Sequence, residues 1–249
     1  MAAKNKDKPS VFSRFAVVVL AVLYRMLTLH QYMSFVFYKM KHGIRYLWER
    51  CPEKLLHNIQ KRPDHLAIVF SEPEISFGDV AKLICWCHEA GINYVTLYEP
   101  RGILKKSDEK LLRSIQKLAP SKFSIKFHSF SSADHQEVDS IDAVREEVHV
   151  HLAAAEDGRG AIVEAARKLH QVQTGVTMKS VDNMLKVTCD WPEPDLLIRC
   201  GGLNSHLGFL PWALRLTEFA DLYSHHRLFP SEFRDILATF SITDRRCGR

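Results

Sequence analysis

Three groups of side chains in this 249-residue sequence have the types and spacing that chemistry on an anion requires. The first is Arg199, which closes the apolar run Leu196-Leu197-Ile198 and is followed, after Cys200, by Gly201 and Gly202. A buried strand, a glycine-rich turn and a helix in that order aim backbone N–H groups at a phosphate or carboxylate. The stretch 194–219 predicts this arrangement, with Trp212 and Glu218 on the helix. The second group follows the apolar run His65–Phe70, where Ser71 precedes Glu72, Pro73 and Glu74. A serine hydroxyl is a neutral, weak metal ligand, and the nearby carboxylates would repel an anion. Glu72 is also offset by one residue, which directs a strand side chain to the other face. The third group is the carboxyl terminus, Arg245-Arg246-Cys247-Gly248-Arg249. An arginine fork beside a permissive glycine backbone suits an oxyanion.

The elements that must position these groups alternate between strand and helix. Leu66–Phe70, Ile92–Tyr98, Lys122–Phe130, Val148–Ala155 and Asp195–Arg199 have strand character. Asp79–Glu89 places Val80, Leu83, Ile84 and Cys87 on one helical face, with Gly91 at the position that ends such a helix. Ser107 caps a helix carrying Leu111, Ile115 and Leu118. Gly160–Val172 is a further helix, and Ser180 starts a short one to Val187. Ser231, after Pro230, is predicted to cap the last helix, with Asp195–Arg199 the last clear strand. The fold class is therefore α/β, a mostly parallel sheet with helices on both faces. Residues 131–147 form a polar loop. His149 and His151 share a strand face, which predicts a strand surface rather than a metal pair.

Charge is unevenly placed. Residues 1–62 hold 12 basic and 3 acidic side chains, and the remainder holds 22 and 26. A basic leader on a mildly acidic body gives no support for nucleic-acid binding. The six cysteines form no CxxC pair, which argues against zinc and against a disulfide framework. Phe15–Tyr38 is apolar enough to serve as a permanent membrane anchor, although Arg25 interrupts it. A cleaved leader lacks its small-residue cleavage site here, and a buried core helix is the remaining alternative. The organisation is a basic N-terminus (1–14), an anchor (15–38), a basic connector (39–63) that can face acidic lipid headgroups, and a globular domain (64–249).

HLAIVF, WCHEAGINYVTLY, DLLIRCGG and GFLPWALRLTEF, in that order, resemble the cis-prenyltransferase family of undecaprenyl and dehydrodolichyl diphosphate synthases. The resemblance runs from about Asp64 to the end. It implies the family's parallel-sheet fold, isoprenoid diphosphate substrates and Mg2+ as cofactor. In the family an aspartate ends the first strand and holds the magnesium; Ser71 stands in that place, so no catalytic residue and no metal ligand is expected in this chain's own site. The segment from Ser71 to Gly91 is also shorter than the family's. Arg199 matches the family's first arginine and Glu218 a metal-ligand position, both as remnants of a degenerate site, while Leu203 and Ser205 replace a glutamate and a second arginine.

These departures resemble the family's non-catalytic branch, whose members pair with a catalytic subunit to form dehydrodolichyl diphosphate synthase. By that resemblance Arg246, Cys247 and Gly248 bind substrate diphosphate in the partner's active site. The implied role is an accessory subunit at the endoplasmic reticulum membrane, its globular domain cytosolic, in a complex that extends farnesyl diphosphate with isopentenyl units toward dolichol. A membrane receptor or adaptor that retains the fold only for binding is one alternative. A self-sufficient synthase using Glu72 or Glu74 is the other.

Overall fold

The computed structural model describes residues 11–48, 61–118, 124–128, 147–171, 177–186 and 192–244. Contacts divide the chain into two units, residues 1–49 and 50–249. The first contains one helix, α1 (Val11–Trp48), within which Phe15–Lys41 is long and apolar enough to cross a membrane. Its 38 residues span about 57 Å at 1.5 Å per residue. The helix continues seven residues past that apolar stretch, and the sequence up to Trp48 contains no proline to stop it. The Thr28 hydroxyl donates to the Tyr24 carbonyl (2.9 Å), which satisfies it within the helix as a lipid environment demands.

The second unit contains six strands: β1 (His65–Phe70), β2 (Tyr94–Tyr98), β3 (Ser124–His128), β4 (Glu147–Ala153), β5 (Leu196–Cys200) and β6 (Glu218–Leu222). They form one sheet of order β3-β4-β2-β1-β5-β6 in which every pairing is parallel. The helices are α2 (Phe77–Glu89), α3 (Asp108–Leu118), α4 (Arg159–Gln171), α5 (Met178–Lys186) and α6 (Pro230–Ile242). Right-handed crossovers in a parallel sheet put such helices on both faces.

Alternation along each strand divides the core. Leu66, Ile68 and Phe70 of β1 join Val95, Leu97, Ile198 and residues of α2, α3 and α6 in the larger cluster. Ala67 and Val69 point the other way, toward Tyr98, Leu197 and Phe209. β1 is buried along its whole length, which is why it reads as a continuous apolar run. Ser76 caps α2 by accepting from the Asp79 N–H, and Gly91 follows at φ +72°, the left-handed conformation that ends a helix.

The last third of the chain differs from the sequence-based expectation in three ways. Trp212 lies in a single 3-10 turn, Pro211–Ala213, and not in a helix. Glu218 opens β6, a sixth strand beyond the one expected to be last. Residues 218–222 alternate between half-buried and exposed, and pairing with β5 determines their conformation more strongly than local helical spacing. Ser231 lies buried in the first turn of α6. The cap is Phe229, whose N–H donates to Glu232 (2.8 Å), with Pro230 as the first helical residue. His151 also departs from expectation, being buried under α4 rather than on a strand surface, whereas His149 stacks on Tyr94 with centroids 5.2 Å apart. The polar loop expected at 131–147 falls outside the described residues except for Glu147.

Burial lowers the pKa of His65 from 6.5 to about 4 and that of His151 from 6.5 to about 3. Both rings are therefore neutral in the folded protein while the unfolded chain protonates them below 6.5. Stability is present above that pH and falls as pH drops from 6.5 toward 4 and then 3, by on the order of 3 kcal/mol for each ring. Denaturant unfolding followed across pH 7.5 to 4 should show this loss, and the His151→Gln variant should show a smaller one.

Candidate functional site

In a parallel sheet the chemistry sits at the carboxyl ends of the central strands, here β1, β2 and β5. Ser71 follows β1 immediately. Its backbone N–H and its hydroxyl both donate to the Cys200 carbonyl at the end of β5, at 2.9 and 2.8 Å. The hydroxyl oxygen therefore faces the neighbouring strand. Gly201 passes directly over it at φ +110°, and any Cβ there would overlap the Ser71 hydroxyl. The pairing explains why glycine follows β5: the chain must close tightly over Ser71 in a backbone conformation that other residues resist.

Glu72 turns toward the loop after β6. It accepts from the Ser224 hydroxyl (2.5 Å), the His225 backbone N–H (3.0 Å) and His225 Nδ1. Burial alone would raise its pKa, but the hydrogen bonds from His225 and Ser224 outweigh that, and the carboxyl titrates below its ordinary value. His225 is fully buried against Phe70, ring centroids 5.1 Å apart.

Glu72, His225 and His226 are the one group among the described residues with metal-ligand spacing. The hydrogen bonds decide against that use. The Ser76 N–H donates to His225 Nε2 (3.0 Å), so Nδ1 carries the proton that Glu72 accepts. His226 Nε2 donates to the Glu74 carbonyl (3.2 Å). A cation would have to displace these protons, and magnesium prefers an all-oxygen octahedral shell that one carboxylate and two imidazoles do not supply. The residues around Ser71 therefore do not fit the Mg2+ that the family resemblance implies.

The cationic groups at the same end of the sheet are also engaged. Arg199 makes a two-pronged contact with Asp221, its register partner on β6, at 2.7 and 2.9 Å, and lies over the Phe219 ring. Arg101 bonds Glu99 at 2.6 Å and reaches the Pro73 and Glu72 carbonyls at 2.6 and 3.1 Å. Glu99 is buried at the end of β2 and also accepts from the Ile103 N–H (2.7 Å). Two guanidinium groups that could hold a diphosphate are thus neutralised by the chain's own carboxylates.

Of the residues singled out from sequence, Ser71 and Arg199 lie together at the carboxyl ends of the strands. Glu218 does not join them. It pairs with Leu196 at the opposite end of β5, roughly 10 Å down the strand from Arg199. Arg246, Cys247 and Gly248 lie outside the described residues. Sequence reading missed Glu99, Arg101, Ser224 and His225. The signal existed, since Glu99–Arg101 and Ser224–His226 each follow a strand end, where polar groups in a parallel sheet converge.

A family model described as putative undecaprenyl diphosphate synthase matches residues 105–248. The dehydrodolichyl diphosphate synthase complex subunit Nus1 of Mus musculus is 31% identical over 209 residues, covering 78% of this chain and 68% of that protein. The subunit of the same name from Schizosaccharomyces pombe is 31% identical over 240 residues, covering 86% and 90%. Among solved structures, lavandulyl diphosphate synthase from Lavandula x intermedia, in complex with dimethylallyl diphosphate, superposes with a TM-score of 0.54 at 21% identity, covering 74% of this chain and 98% of that one.

Glu72→Ala should cost on the order of 3 kcal/mol in urea unfolding, because three donors lose a buried acceptor. Glu72→Gln should cost less. Added millimolar Mg2+ should leave the wild-type midpoint unchanged; a rise would mean that the Glu72–His225–His226 group does hold a cation.

Proposed function

The chain belongs to the family of putative undecaprenyl diphosphate synthases, and from that membership we propose that it is the accessory, catalytically incomplete subunit of a heteromeric cis-prenyltransferase. The complex condenses isopentenyl diphosphate onto farnesyl diphosphate, as a dehydrodolichyl diphosphate synthase supplying dolichol for protein glycosylation. The observation that carries this reading is the saturation of the strand ends. Ser71 is bound to Cys200, Glu72 to His225, and Arg199 to Asp221. Ionising an allylic diphosphate builds charge on the leaving group, and that charge needs a metal clamp and free cationic donors. This site offers neither among the described residues.

The catalytic subunit then supplies the metal-binding carboxylates and holds Mg2+. This chain contributes its carboxyl terminus, with Arg246 and the backbone of Cys247 and Gly248 on the diphosphate in the partner's site. Edge strand β6 supports the pairing. Phe219 on it, and Leu216 and Tyr223 just before and after it, are exposed apolar side chains of the kind that subunit interfaces cover. Trp212 and Leu214 face inward: Trp212 donates to Asp182, and Leu214 packs on the Phe209 cluster. Helix α1 anchors the complex in the endoplasmic reticulum membrane with the globular domain in the cytosol, and the basic connector faces lipid headgroups.

Isopentenyl incorporation by the purified chain alone should be absent, and adding a catalytic cis-prenyltransferase subunit should restore it above the level of that subunit alone. Turnover by the lone chain would refute the assignment. Arg246→Ala should lower kcat of the complex about tenfold or more while the two subunits still co-elute.

A further inference from the structure

On the face of the sheet opposite α2 and α3, a cleft of about 120 Å³ opens between the strands, α4, α5 and the Pro211–Ala213 turn. It lies away from the Ser71 end of β1. Its floor comes from three adjacent strands: His65 of β1, Thr96 of β2 and His151 of β4, with Thr96 and His151 in direct register. We propose that this cleft binds a small uncharged organic molecule, about five or six carbons bearing one hydroxyl, at a site separate from the diphosphate chemistry.

The hydrogen bonds at the floor define what the ligand can be. The Pro192 carbonyl can only accept, so the His65 Nδ1–H donates to it at 2.6 Å. His65 Nε2 then accepts from the Thr96 hydroxyl at 2.9 Å. With its proton given to His65, the fully buried Thr96 hydroxyl is already engaged, and a ligand hydroxyl can instead donate to Asp182 in the lining, whose Oδ1 accepts from the Trp212 indole and whose carboxylate has further acceptor capacity. Burial keeps both imidazoles neutral at neutral pH, so the floor carries no positive charge.

The walls exclude anions. No lysine or arginine lines the cleft among the described residues, whereas Asp157, Asp182 and Glu193 do. Each of the three is held from outside the floor: Asp157 by Lys105 at 3.0 Å, Asp182 by the Trp212 indole at 2.5 Å, and Glu193 by Arg215. Lys105 and Arg215 balance Asp157 and Glu193, whereas Asp182, held by a neutral indole, keeps a negative charge in the lining that would repel a phosphate ester. Ala161, Ile162, Leu185 and Leu210 make the rest of the wall apolar. An engineered apolar cavity of about 150 Å³ accommodates benzene, so this volume suits a molecule of about that size or slightly smaller.

The test uses the full chain in detergent micelles, with thermal unfolding recorded against 3-methylbut-3-en-1-ol and against isopentenyl diphosphate, which has the same carbon skeleton. The neutral alcohol should raise Tm saturably, by about 2 °C at several times a millimolar Kd, and the diphosphate should not. Ala161→Phe fills the cleft and should abolish the shift while unfolding remains cooperative. Leu185→Ala enlarges it and should favour 2-phenylethanol over the smaller alcohol. The proposal fails if the alcohol gives no saturable shift, if the diphosphate shifts Tm as much, or if Ala161→Phe responds like the wild type. Should Ala161→Phe not fold, unchanged selectivity in Leu185→Ala would overturn it equally.

Discussion

The Cys200 carbonyl accepts two hydrogen bonds from Ser71, and much of the molecule is arranged around that contact. It joins the ends of β1 and β5, two of the central strands of the sheet. Gly201 must fold over the serine, which sends the following loop outward and lets β6 pair beside β5. Glu72, displaced by the same closure, reaches His225 on the far side of β6 and ties the first strand to the last. The result is a sheet whose carboxyl end is fastened by side chains rather than open to a ligand.

Electrostatics follow the same pattern. A diphosphate site requires cations with unsatisfied donors, and this end of the sheet pairs the guanidinium groups of Arg199 and Arg101 with carboxylates and backbone carbonyls. Such pairs gain strength from partial burial, because water competes poorly for the donors. They also fix the loop 71–74, since Arg101 holds two of its carbonyls. The charges at this end of the sheet serve the fold.

Much of the architecture was legible because it rests on local pattern. The continuous apolar run of β1 and the helical spacing of α2 with its terminal Gly91 belong to the strand–helix alternation that specified the parallel class. The chain after Gly202 was not legible. Residues 211–222 carry apolar spacing compatible with a helix, and only pairing with β5, a long-range contact, makes 218–222 a strand. The serine at position 71 could be read directly, but not the contacts that surround it. Glu72 reaches a histidine 153 residues later, and no local rule connects them. Burial of His151 was equally hidden, because alternation tells which face a residue occupies and not whether a helix covers that face.

Gly201 makes position 71 hard to change. A carboxylate introduced there would meet the Cys200 carbonyl and the overlying glycine backbone, and it would sit beside an ionised Glu72. Opening this end of the sheet would need coordinated change at several positions, each harmful without the others. The contact acts as a ratchet: with the backbone closed over a hydroxyl, a single substitution strains the fold before it frees the strand ends.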